Sequence, residues 1–90
     1  MKMFCISESL DISLGLRLSG IEYDVLKDKN KILEKINELL ENKDYGIIIL
    51  TEKIYEMISD EVKKLEKERN IPLFIKIPEI GDEVNERYKK

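Results

Sequence analysis

Few side chains in this sequence could do chemistry, and they cluster at the ends of apolar runs. Ser7, Glu8, Ser9 and Asp11 follow the first run, Lys27 and Asp28 follow a second, and Thr51 and Glu52 follow a third. Glu8 and Asp11 have the spacing of an acidic pair that holds a hard cation with waters, and Asp28 could join them. Acidic residues at loop starts also serve as helix caps, which is the commoner use. Phosphoryl acceptance would need an aspartate at the end of the third run, where Leu50 and Thr51 stand instead. Cys5 lies inside an apolar segment and is followed by Ile6-Ser7-Glu8-Ser9-Leu10-Asp11, with neither glycine nor arginine to cradle a phosphate. A buried structural cysteine fits better. No histidine is present, which removes the commonest general base and metal ligand. No Gly-x-Gly-x-x-Gly or Walker pattern occurs. No complete catalytic set emerges, and no catalytic, metal or cofactor residue is assigned.

The elements that must carry these residues are easier to read. Gly46-Ile47-Ile48-Ile49-Leu50-Thr51-Glu52 joins an aliphatic run to a helix start. Such a strand is buried on both faces, as in parallel sheets covered by helices. Thr51 is the expected N-cap, with Glu52 at the positive end of the helix dipole. Lys2 to Ser7 reads as a first strand. A first helix runs from Ser9 or Asp11 to about Ser19, contains Gly15 and ends in a left-handed cap at Gly20. Glu22 to Leu26 is a short, polar second strand suited to a sheet edge. Asp28 or Asn30 caps a helix from Lys31 to about Asn42, with Ile32, Leu33, Ile36, Leu39 and Leu40 in one stripe. One continuous third helix is expected from Thr51 to Arg69, with Ile54, Ile58, Val62 and Leu65 inward. Pro72 precedes a fourth strand, Leu73 to Ile77, and Pro78 stops it.

The order β-α-β-α-β-α-β predicts an α/β fold: one small domain over 1–78 and a short polar C-terminal tail over 79–90. Its four-stranded parallel sheet carries helices on both faces through right-handed crossovers, as in Rossmann-like or receiver-like folds. Ninety residues suffice for one domain, and 42% hydrophobic against 39% charged residues supports a core beneath a charged surface. A net charge of −3 without a basic stripe argues against a nucleic-acid partner. No apolar run approaches the ~20 residues of a membrane span, and Met1-Lys2-Met3-Phe4 leads straight into a strand without a signal-peptide core. The single cysteine excludes an intrachain disulfide, so a reduced, cytoplasmic setting is expected.

Three segments carry a resemblance. Gly15-Leu16-Arg17-Leu18-Ser19-Gly20-Ile21 is similar to a G-F-R-L-A-G-[IV] stretch. Gly46 to Ile54 (Gly-Ile-Ile-Ile-Leu-Thr-Glu-Lys-Ile) is similar to G-I-I-L-I-T-E-x-I, and Pro72 to Pro78 to a P-x-[IV]-[IV]-x-I-P ending. In this order and at this length, the chain resembles the F subunits of the V-type and archaeal-type (A-type) rotary ATPases. The match covers Lys2 to Pro78. Ser7-Glu8 stands where the family often has Gly-Asp, and only Glu79 to Lys90 follows Pro78, where members usually continue into a Gly-rich linker and a regulatory helix.

The resemblance implies a non-catalytic central-stalk protein, peripheral to the membrane. It would dock on the D subunit, the coiled coil of the stalk, and rotate with it, linking ATP hydrolysis or synthesis to ion transport. Arg17 in the first motif, and Ile77, Pro78 and Ile80 at the sheet-to-tail junction, are the expected partner-binding residues. Tyr88 is a further candidate anchor in the tail. Two rival classes are a degenerate receiver-like signalling domain that binds a protein partner, and a small enzyme using Glu8 and Asp11.

Overall fold

The computed structural model describes residues 1–8 and 20–78. Within them lie β1 (Lys2–Ser7), β2 (Glu22–Val25), α1 (Lys29–Glu41), β3 (Tyr45–Thr51), α2 (Glu52–Met57), α3 (Ser59–Glu68) and β4 (Leu73–Ile77). The strands form one parallel sheet in the order β2-β1-β3-β4. The polar second strand is therefore an edge, as its composition predicts, and β4 is the other edge.

Strand periodicity divides the sheet into two unlike faces. Register aligns Phe4 with Ile48 and Ile6 with Leu50. These four are buried in one cluster with Ile32, Ile36 and Leu39 of α1, Ile54 of α2, Ile58, and Val62 of α3. All the described helices thus cover this first face. Helices on both faces were expected; the helix predicted to start at Ser9 or Asp11 lies outside the described residues.

Charges on the first face sit at its margins and are engaged. Asp24 pairs with Lys35 of α1 at 3.3 Å, and the Lys35 ammonium lies 4.8 Å from the Phe4 ring centre. The Tyr45 hydroxyl donates to Glu22, and Lys76 covers the Tyr55 ring at 5.2 Å.

α1 begins where a cap residue meets an apolar stripe. The Asp28 carboxylate accepts from the Lys31 backbone N–H at 3.2 Å, satisfying one of the donors that a helix start leaves open. At the other end the Asn42 side chain accepts from the Asp44 N–H at 3.0 Å, a local turn that feeds the chain into β3. Gly46 is the extra residue of a bulge there, since register steps from Lys2–Tyr45 to Met3–Ile47.

Two expectations need correction. The single helix from Thr51 to Arg69 is two helices, α2 and α3, broken at Ile58 (φ −126°, ψ 23°). Ile54, Ile58 and Val62 are all fully buried, so the inward face expected of one helix is kept across the break. Thr51 does occupy the N-cap position, but its side chain makes no cap hydrogen bond. Its hydroxyl bonds to Glu8 instead.

Candidate partner-binding surface

In an open parallel sheet the natural ligand crevice lies at the C-terminal ends of the strands, where the strand order reverses. Here that point is between β1 and β3. Ser7 and Thr51 are fully buried, and the Thr51 hydroxyl donates to a Glu8 carboxylate oxygen at 2.7 Å. This bond ties the two strand ends together and takes up the one hydroxyl that the β3–α2 turn presents. Asp28, the third member of the acidic set, is committed to capping α1; Asp11 lies outside the described residues. Cys5 is buried within β1, and burial pushes its thiol up to about 11. That shift disfavours the thiolate a nucleophile would need. An open recess of about 450 Å³ beside β2 is lined by Phe4, Gly20, Ile21, Glu22, Tyr23, Asp24 and Lys35. Its acidic groups are those already bonded to Tyr45 and Lys35.

Of the four residues expected to bind a partner, Arg17 and Ile80 lie outside the described residues. Ile77 is half-buried at the end of β4, and Pro78 beside it is exposed.

A family model described as the ATP synthase (F/14-kDa) subunit matches residues 3–90. The chain belongs to this family. Relatives named as the F subunits of A-type ATP synthases include the Methanococcus aeolicus protein, 43% identical over 60 residues, or 64% of this chain and 60% of the relative. The Pyrococcus furiosus protein is 35% identical over 86 residues, covering 88% of this chain and 76% of the relative. The Thermococcus kodakarensis protein is 31% identical over 84 residues, with the same two coverages. The match to the Methanococcus protein thus spans about three fifths of that relative's length. The family resemblance read from the three motifs agrees with these findings.

For this F-subunit chain the surface that sequence reasoning missed lies on the second face of the sheet. Its positions are Met3, Cys5 and Ser7 on β1, Tyr23 and Val25 on β2, Ile47, Ile49 and Thr51 on β3, and Leu73, Ile75 and Ile77 on β4. None carries a charge. The centre is closed, with Cys5 and Thr51 at 0% exposure and Ile49 at 8%. The margin opens at Met3 (39%), Leu73 (59%) and Ile75 (42%). The available signal was that β4 follows Pro72, a residue compatible with the first position of an edge strand.

Among the described residues no helix is long and apolar enough to cross a membrane.

Proposed function

We propose that this chain is the non-catalytic F subunit of a V-type or A-type rotary ATPase. It binds the D subunit, the coiled coil of the stalk, and turns with it, helping couple ATP hydrolysis or synthesis to ion transport. It works on the cytoplasmic side, held at the membrane through the rest of the complex. The family match over residues 3–90 carries this reading. The geometry supports it in two ways. Transmitting torque needs a body that does not deform, and the sheet is locked to α1, α2 and α3 by a single cluster of buried aliphatic side chains. It also needs a docking surface, and uncharged, exposed side chains run along β4. The tie between Glu8 and Thr51 makes the strand-end crevice a structural joint in this reading, with no catalytic step of its own. Arg17, Ile77, Pro78 and Ile80 are the proposed contact residues.

Size-exclusion chromatography with light scattering, on the chain mixed with the coiled-coil stalk protein of the same genome, tests the proposal. A one-to-one complex that Arg17→Ala weakens is the expected result. Two separate peaks at micromolar concentration would contradict it.

A further inference from the structure

We propose that β2 is a hinged strap. Two polar clamps across the first face, Tyr45 to Glu22 and Lys35 to Asp24, hold it against β1, and it swings open from its Gly20 end while the other described elements stay folded. This goes beyond the stalk reading and stands whether or not that reading holds.

The core shows which strand is free to move. The buried cluster and its margin take Phe4 and Ile6 from β1, Tyr45, Ile48 and Leu50 from β3, and Phe74 from β4. Among the described residues β2 contributes none of its own, and no β2 side chain is fully buried. Both outer strands have one neighbour, but β4 is fastened by Phe74, and its Lys76 lies over the Tyr55 ring of α2. Apolar packing fastens β2 at its exit, where Leu26 packs against the cluster and its N–H donates to the Ser7 carbonyl at 2.9 Å. That end is the pivot. At the entry stands Gly20, exposed, with φ +81° and open space where a side chain would stand.

Polar clamps stand where core side chains would otherwise hold the strand. Register sets Glu22 beside Phe4 and Asp24 beside Ile6, so two carboxylates occupy the face on which the inner strands carry core residues. Each is engaged from another element. The Tyr45 hydroxyl reaches past β1 to Glu22, with its ring edge-on to Phe4 at 5.8 Å between centres. The Lys35 ammonium lies between Asp24 at 3.3 Å and the Phe4 ring centre at 4.8 Å. The Lys35 and Asp24 side chains keep 25% and 43% of their exposure, so water competes for the pair. Hydrogen bonds and ion pairs open to water hold a strand less firmly than buried aliphatic side chains do. Opening β2 should therefore take less free energy than unfolding the domain.

Native-state hydrogen exchange on the full chain, followed against urea below the unfolding transition, is the test. The hydrogen-bonded amides of residues 22–25 should be at least about tenfold less protected than those of residues 47–50. Their exchange should depend little on urea, the mark of an opening that exposes little surface, while residues 47–50 follow global unfolding. Lys35→Met and Tyr45→Phe should each speed exchange over 22–25 by about three- to tenfold. Ile58→Val loosens a core that the open state retains. It should speed exchange over 47–50 by a similar factor and leave 22–25 unchanged. If residues 22–25 share the urea dependence of 47–50, or respond equally to Ile58→Val, β2 leaves only when the whole domain unfolds. If neither clamp variant speeds exchange over 22–25, the clamps do not hold the strand. Either result overturns the proposal.

Discussion

The two faces of one sheet are built from the same kind of residue and do different work. On the first, Phe4, Ile6, Ile48 and Leu50 are closed over by α1, α2 and α3, and the marginal charges are paired or stacked. On the second, equally apolar positions carry no charge, yet Leu73 and Ile75 stay open. Apolar content alone therefore does not mark a core. Cover does: the described helices close the first face, while the second is closed at Cys5, Ile49 and Thr51 and open at Met3, Leu73 and Ile75. The difference separates side chains that hold the domain together from those free to hold something else.

Mutations should divide along the same line. The largest loss of stability is expected from Ile58→Ala, which removes a fully buried side chain at the break between α2 and α3. It should cost about 2–5 kcal/mol by urea denaturation. Ile75→Ala on the open face should cost well under ~1 kcal/mol, because its side chain is already substantially in water. Equal losses at the two sites would break the comparison.

Thr51→Val tests the joint between the inner strands. It keeps the shape and removes the hydroxyl that donates to Glu8, so a loss of about 1–2 kcal/mol is expected. Gly20→Ala should cost about 1–2 kcal/mol through backbone strain, since Gly20 has φ +81° and space for a methyl group.

The smallest effect concerns pH. The Tyr45 hydroxyl is held above its usual pKa mainly by its hydrogen bond to Glu22, and further by desolvation and the nearby carboxylates. A raised folded-state pKa means that the contribution is fully present below the unfolded value of about 10. It is lost as pH rises through the folded value. Wild type should therefore lose slightly more stability than Tyr45→Phe as alkaline pH is approached and passed, read by denaturant titration at several pH values.

Much of this was legible in the chain. Each β-branched run became a strand, the polar second strand became an edge, and Asp28 capped its helix. What stayed hidden was what only tertiary structure decides. No glycine or proline announces the break at Ile58, and the inward face Ile54, Ile58 and Val62 reads the same with or without it. Thr51 reads as a cap because its local sequence is right for one, but Glu8, 43 positions away, takes the hydroxyl. The openness of Leu73 and Ile75 depends on cover, which is not written in the run itself. Of the proposed contacts, Ile77 and Pro78 fall at the end of the open strip, whereas Arg17 and Ile80 lie outside the described residues.

Hydrogen exchange of the chain with and without the coiled-coil stalk protein puts the contrast between the faces to its most direct test. New protection across residues 71–77, with α1 unchanged, is the predicted result. Protection confined to α1, with β4 exchanging as it does in the free chain, would contradict it.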